Sequence, residues 1–289
     1  MKTAEQRLRH YAGIFPIVEV DSTFYAIPER HNAERWAART APGFVFDVKS
    51  YRLFTRHRTP VCSLPADVRQ ALATPNTSVY YDELPGELQN ELWRRFRSAL
   101  EPLRASGRLG VVLFQFAPWL VFGKEGKQHI VRCAQHMQGF RVAIELRNAS
   151  WLREARQAHT LAFLRDHHLA HVVTDELQET SSSVPVVWEA TRSDIAVLRL
   201  HGRRTETRQQ KGLARASERL AYLYTEAELK SFVAPVKRLA KQASEVHVLF
   251  NNCYADHAQT NAAHFSGLLG RRSTLPPRQG GQLGRTAAR

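Results

Sequence analysis

The segment Val142–Arg147 reads VAIELR, and the fold is decided by how its side chains alternate. In a β-strand successive side chains point to opposite faces, so Val142, Ile144 and Leu146 share one face while Glu145 and Arg147 share the other. A strand covered on both sides normally reads as a near-continuous apolar run, so charges repeated on one face require partners inside a barrel or a polar cavity.

Six further segments of strand length surround it: Ile17–Asp21 (IVEVD), Phe44–Lys49 (FVFDVK), Gly110–Phe116 (GVVLFQF), His171–Asp175 (HVVTD), Ala196–His201 (AVLRLH) and Val246–Asn251 (VHVLFN). The same parity gives Glu19 with Asp21, Asp47 with Lys49, Leu113 with Gln115, Arg199 with His201, and His247 with Asn251. Between the strands lie amphipathic stretches, Asn32–Arg39, Leu88–Ser106, Gln128–Gln138, Trp151–His167 and Glu226–Gln242, each able to cover the outside of a sheet. Repeated strand–helix alternation predicts an α/β fold with a parallel sheet, and 289 residues suit one TIM-type (β/α) barrel.

The domain is expected over residues 1–272, followed by a disordered basic tail over 273–289 that combines Pro, Gly, Gln and Arg without apolar periodicity. Two long connections, Tyr51–Glu87 and Gly202–Tyr224, read either as lids over the mouth or as surface insertions. No run approaches the roughly 20 apolar residues of a membrane span, and Met1–Tyr11 is too polar for a signal peptide, so a cytoplasmic protein without membrane attachment is expected. The three cysteines, 62, 133 and 253, form no C-x-x-C pair and read as mostly buried thiols.

Lys and Arg number 41 against 27 Asp and Glu, a net charge of +14. That bias favours anionic partners: a small anionic ligand, or, as the alternative, nucleic acid met by Arg203–Lys211 and the tail. A general preference for arginine over lysine gives the same count without a polyanion. The oligomeric state is not indicated. There is no G-x-x-x-x-G-K-[ST] loop, no G-x-G-x-x-G after a strand and no G-x-S-x-G, which disfavours nucleotide hydrolysis, dinucleotide binding and α/β-hydrolase chemistry.

Barrel enzymes work at the C-terminal ends of their strands. The polar strand ends are therefore either an internal ion-pair network or the ligand site of an enzyme or binding protein for a small anionic or sugar-like substrate. In the second reading Lys49, Arg147 and Arg199 grip an anion, the arginines bidentately, Glu19, Glu145 and His201 serve as general acid or base, and Gln115, Asn251 and Asn252 hydrogen-bond neutral groups. No cofactor is specified. A divalent metal remains open through Glu19, Glu145, Asp175 and His201, without any tight ligand spacing to support it.

The ordered motifs VEVDSTFYAIP (18–28), FVFDVKSYRLFTRH (44–57), LGVVLFQFAPWL (109–120), VAIELRNASWL (142–152), VVTDE (172–176), LRLHGR (198–203) and VLFNNCY (248–254) resemble the YecE-like family, domain of unknown function 72, from about residue 5 to 270. The resemblance implies a TIM-type barrel and assigns no activity. Its pattern residues fall on Glu19, Ser22, Thr23, Phe24, Tyr25, Lys49, Gln115, Glu145, Arg147, Asp175, Glu176, Arg199, His201, Gly202, Asn251 and Asn252. From these, Glu19, Lys49, Glu145 and His201 are the expected catalytic set. Ser22, Thr23, Tyr25, Gln115, Arg147, Asp175, Arg199, Asn251 and Asn252 are the expected binding set. Family members open with a Gly-Thr-Ser-Gly-aromatic strand ahead of the segment matching Tyr11–Tyr25. Here Lys2–Tyr11 reads as a helix, so the barrel is expected to lack its first strand and to carry an open seam between its first and last strands.

Overall fold

The computed structural model describes residues 3–153, 155–178, 183–203 and 221–270. The chain runs α1 (Ala4–Ala12), β1 (Ile17–Val20), α2 (Arg30–Ala38), β2 (Val45–Lys49), β3 (Thr59–Pro60), α3 (Ala66–Leu72), β4 (Ser78–Val79), α4 (Gly86–Ala105) and β5 (Leu109–Gln115). It continues through α5 (Lys124–His136), β6 (Val142–Glu145), α6 (Ala155–Asp166), β7 (Ala170–Asp175), β8 (Ile195–Leu200), α7 (Glu226–Leu239), β9 (Glu245–Phe250) and α8 (His257–Leu268). Seven parallel strands form one sheet in the order β1-β2-β5-β6-β7-β8-β9. The sheet nearly closes: β1 and β9 approach each other without a backbone ladder between them. This is the TIM-type barrel short of one strand that the seven segments predict, with each strand boundary shifted by at most two residues. Among the described residues no helix is long and apolar enough to cross a membrane.

Strand parity sorts the core into an outer and an inner layer. Val112, Phe114, Phe116, Val142 and Ile144 face the surrounding helices, where they pack with Trp93, Phe96 and Leu100 of α4. Val111, Leu113, Ala143, Val172, Val197 and Leu249 fill the barrel itself. The Tyr51–Glu87 connection is anchored by Tyr51, Leu53 and Phe54, all fully buried. Phe54 stacks on Trp93 at 3.6 Å between centroids, and β3 pairs antiparallel with β4 inside this connection. Helix α8 was not expected, because its His-, Asn- and Gly-containing sequence has little apolar periodicity. Of the cysteines only Cys133 is buried. Cys62 and Cys253 sit in a surface turn and a strand-end loop and are exposed, which corrects the expectation of mostly buried thiols. Beyond Arg203, the basic stretch Arg203–Lys211 lies outside the described residues, as does the 273–289 tail.

One polar tie holds the N-terminal end of the barrel. The β2–β5 register shifts between Phe46 and Val48, and the Asp47 side chain occupies the irregularity, accepting from the Val111 backbone N–H at 2.8 Å. Asp47 also receives Nδ1 of His247 on β9 at 2.9 Å, so this pair reaches across the unladdered seam. The partnership holds the His247 imidazolium: burial lowers its pKa, but the Asp47 carboxylate outweighs that and the net shift is upward. The pair fits only because residue 110 is glycine, since a Cβ there would stand 2.2 Å from Asp47 Oδ1 and 2.9 Å from His247 Cε1. Replacing Gly110 by Ala should lower the unfolding free energy by about 2 kcal/mol, within the usual cost of overpacking. Gly86→Ala, at an open helix start, should leave stability unchanged or slightly raised, both variants being compared with the wild type by urea titration.

Candidate functional site

At the opposite end of the barrel, side chains from three strands meet on a guanidinium carried by a fourth. Arg199 of β8 has no solvent-exposed surface. Its Nε and Nη2 donate to Oε2 and Oε1 of Glu19 on β1 at 2.9 and 2.6 Å. Its Nη1 donates to Gln115 Oε1 on β5 at 3.0 Å and also to Glu145 Oε2 on β6. A buried guanidinium needs acceptors for its fixed fork of donors, and this arrangement supplies them bidentately on one side. Arg199 is therefore committed to protein carboxylates rather than held open for an anion.

Glu145 is the second node. Its Oε1 lies 3.1 Å from Nε2 of His201 and 3.4 Å from Nη1 of Arg147. The Asn251 amide reaches His201 Nδ1 at 3.0 Å. With that amide donating, the imidazole proton sits on Nε2, toward Glu145. At that separation the Nε2 proton points to a buried carboxylate within hydrogen-bonding distance. Arg147 also pairs with Glu176 at 2.9 Å, and Lys49 of β2 pairs with Asp21 at 3.0 Å. The mouth thus gathers Glu19, Asp21, Glu145 and Glu176 with Lys49, Arg147 and Arg199.

The surroundings of the two carboxylates that share Arg199 drive them in opposite directions. Burial pushes the Glu19 carboxyl up to about 7 against the pull of Arg199, with Asp21 adding to the rise and Lys49 opposing it. Burial also acts on Glu145, but Arg199, His201 and Arg147 outweigh it and hold this carboxyl well below the usual range. Burial lowers His201 to about 4, against the attraction of Glu145, so the ring is neutral near pH 7. Environments that drive a pair of carboxyl groups apart are the usual arrangement for an acid and a base in one site.

Not every expected residue joins this group. In β7, Val172 faces the barrel interior and Val173 faces the helices, so Asp175 falls on the outward face. There it takes Arg203 Nη2 at 2.6 Å and the Tyr224 hydroxyl at 2.8 Å. Its neighbour Glu176 supplies the carboxylate at the mouth instead. Thr23 is buried and donates to the carbonyls of Val20 and Lys49 at 2.9 and 2.5 Å, fastening β1 to β2. Asn252 is buried against the Tyr222 carbonyl and Asn261. Ser22 and Tyr25 are exposed on the turn after β1. Among the described residues no three His, Cys, Asp or Glu side chains group as a metal ion would require. The proposed set Glu19, Glu145, Asp175 and His201 is divided by the outward Asp175.

Residues that strand parity does not reveal complete the mouth. Arg52 and His57, on the connection after β2, flank Phe24, with the Arg52 guanidinium 5.3 Å and the Lys49 ammonium 4.7 Å from the Phe24 ring centroid. The His57 ring meets Phe24 edge-on at 5.1 Å and bonds Thr55 through Nδ1 at 2.9 Å. Burial lowers its pKa to about 4, with Arg52 and Lys49 adding to the fall and Glu145 opposing it. His57 therefore stands within electrostatic reach of Glu145. The motif SYRLFTRH at 50–57 was the sequence signal for both residues.

Removing the shared cation should expose how much of the barrel it holds. Arg199→Met leaves Glu19 and Glu145 buried without their counterion and should cost about 3–5 kcal/mol of stability in denaturant unfolding. Lys230→Met, which breaks the exposed pair with Glu226, should leave the transition nearly unmoved.

Comparison with known proteins bears on the whole chain. The family model described as "Protein of unknown function DUF72" matches residues 1–282. The UPF0759 protein YunF of Bacillus subtilis is 33% identical over 282 residues, spanning 96% of this chain and 92% of that one. A crystal structure of a DUF72 family protein from Enterococcus faecalis superposes with a TM-score of 0.74 at 25% identity, over 91% of this chain and 93% of that one. Another from Thermotoga maritima gives 0.72 at 28% identity, over 93% and 91%. With its barrel, its ordered motifs and a match over nearly its full length, this chain belongs to the DUF72 family.

Proposed function

We propose that this protein is an enzyme that binds a small anionic, sugar-like molecule at the C-terminal mouth of the barrel and acts on it by proton transfer. The observation that carries the reading is the meeting of Glu19, Gln115, Glu145 and Arg199 from four strands, with His201 3.1 Å from Glu145. A structural ion-pair network alone needs neither a neutral histidine 3.1 Å from a carboxylate nor two carboxyls driven in opposite directions on one guanidinium. In this role Glu145 is the base, His201 passes or positions a proton, and Glu19 near neutrality supplies the acid.

The substrate's anionic group is assigned to Lys49 and Arg52, beside Phe24. The Nε of Arg52 is buried and without a partner, a donor that an incoming carboxylate or phosphate oxygen would satisfy. Among the described cations of the mouth, Lys49, Arg147 and Arg199 are each already paired with a carboxylate. Such pairing suits one small anion better than the many phosphates of a nucleic acid, which demand several unpaired cations.

The test is a thermal-shift screen of sugar acids and sugar phosphates on the wild type, Glu145→Gln and Lys49→Met. A ligand should raise the wild-type midpoint by a few degrees, as expected when it saturates the folded state. Lys49→Met should abolish the shift, and Glu145→Gln should keep binding while losing any turnover. Equal shifts in all three proteins would place the ligand elsewhere.

A further inference from the structure

The mouth carries a row of aromatic rings that neither the barrel core nor the charged group requires. Tyr25, on the turn after β1, meets Phe24 edge-on at 5.2 Å. Phe24 meets His57 at 5.1 Å, His57 meets Trp119 at 5.8 Å, and Trp119 meets Tyr80 at 6.3 Å. The row therefore runs unbroken from the β1 turn, over His57 of the β2 connection, to Trp119 on the loop that follows β5, and ends on Tyr80 just past β4. Large apolar side chains are normally buried, yet Tyr25, Trp119 and Tyr80 are 60%, 53% and 41% exposed. Trp119 is held in place while exposed, because its Nε1 donates to the Arg56 carbonyl at 3.0 Å.

We propose that this row is the platform for the ring of the substrate, and that the substrate is a cyclic sugar carrying an acid group rather than an open-chain acid. The inference rests on the reading of the mouth given above and adds the form of the ligand. An aromatic ring is electron-rich on its face and electron-poor at its edge. The C–H groups on one side of a pyranose ring carry partial positive charge and form a flat apolar surface, which matches that face while the hydroxyls stay at the rim. An open-chain polyol presents no such surface.

The spacing of chemistry along the row supports the same assignment. Phe24 has Lys49 and Arg52 against its ring, so the anion-binding cations sit at one part of the platform. His57, in the middle, stands beside both those cations and within reach of Glu145. Trp119, the exposed indole next to His57, is left for the sugar ring.

Isothermal titration with three probes tests this: glucuronate, which has a ring and an acid group; gluconate, which has the acid without the ring; and methyl glucoside, which has the ring without the acid. Glucuronate should bind most tightly. Trp119→Ala should weaken it about tenfold, the scale of one lost ring contact, while gluconate changes less than about twofold. Trp119→Phe should retain most of the ring preference, which separates lost stacking from a disturbed loop, and a circular dichroism melt should show all variants folded. If gluconate binds as tightly as glucuronate and Trp119→Ala weakens both equally or neither, the ring platform is overturned and the anion site stands. If neither acid binds the wild type at millimolar concentration, both readings fall.

Discussion

The Arg199 guanidinium is the constraint on which the rest of this structure depends. Removing such a cation from water costs several kcal/mol unless its donors are matched, and the fold matches them with Glu19, Gln115 and Glu145. These acceptors come from β1, β5 and β6, while the arginine comes from β8. The Glu19–Arg199 pair therefore spans the seam where β1 and β9 share no backbone ladder. At the other end of the barrel, Asp47 of β2 and His247 of β9 span the same seam. Side-chain ion pairs thus tie top and bottom where a further strand would have supplied peptide hydrogen bonds.

Structural closure and candidate chemistry consequently use the same atoms. Glu145 cannot release Arg199 without leaving a buried cation short of an acceptor, so the cluster is rigid, and a rigid polar site is what proton transfer requires. Around it the flanking groups lie on loops: Arg52 and His57 after β2, and Trp119 after β5. The strand ends hold charge in fixed places, and the loops set what can approach it, the usual division of labour in barrel proteins.

Much of this was legible from strand parity. Glu19, Gln115, Glu145, Arg147, Arg199 and His201 alternate with apolar neighbours, and a period of two leaves them only the barrel interior. Parity is silent in HVVTDE, where four residues in a row carry no usable alternation between apolar and charged. Asp175 and Glu176 then cannot be told apart, and it is Glu176 that faces the mouth. Thr23 and Asn252 match the family pattern because they fasten β1 to β2 and β9 to α8, which residue type alone does not distinguish from ligand binding. The aromatic row was hidden for a different reason. Its members lie on three separate connections without periodicity, and only the folded chain brings them side by side.

Two carboxylates sharing one cation make opposite contributions to stability. Glu19, with its folded pKa raised to about 7, contributes stability that is fully present below its unfolded value of about 4.3 and is lost as pH rises toward 7. Glu145, held low, contributes stability that is present above about 4.3 and is lost as pH falls through its folded value. The most direct test is a carboxyl-carbon NMR titration of the glutamate side chains, assigned with Glu19→Gln and Glu145→Gln. Glu19 should titrate near 7 while Glu145 stays ionised until well into the acid range. If both carboxyls titrate together near 4.3, or if Glu145 takes its proton first, Arg199 does not divide them into acid and base.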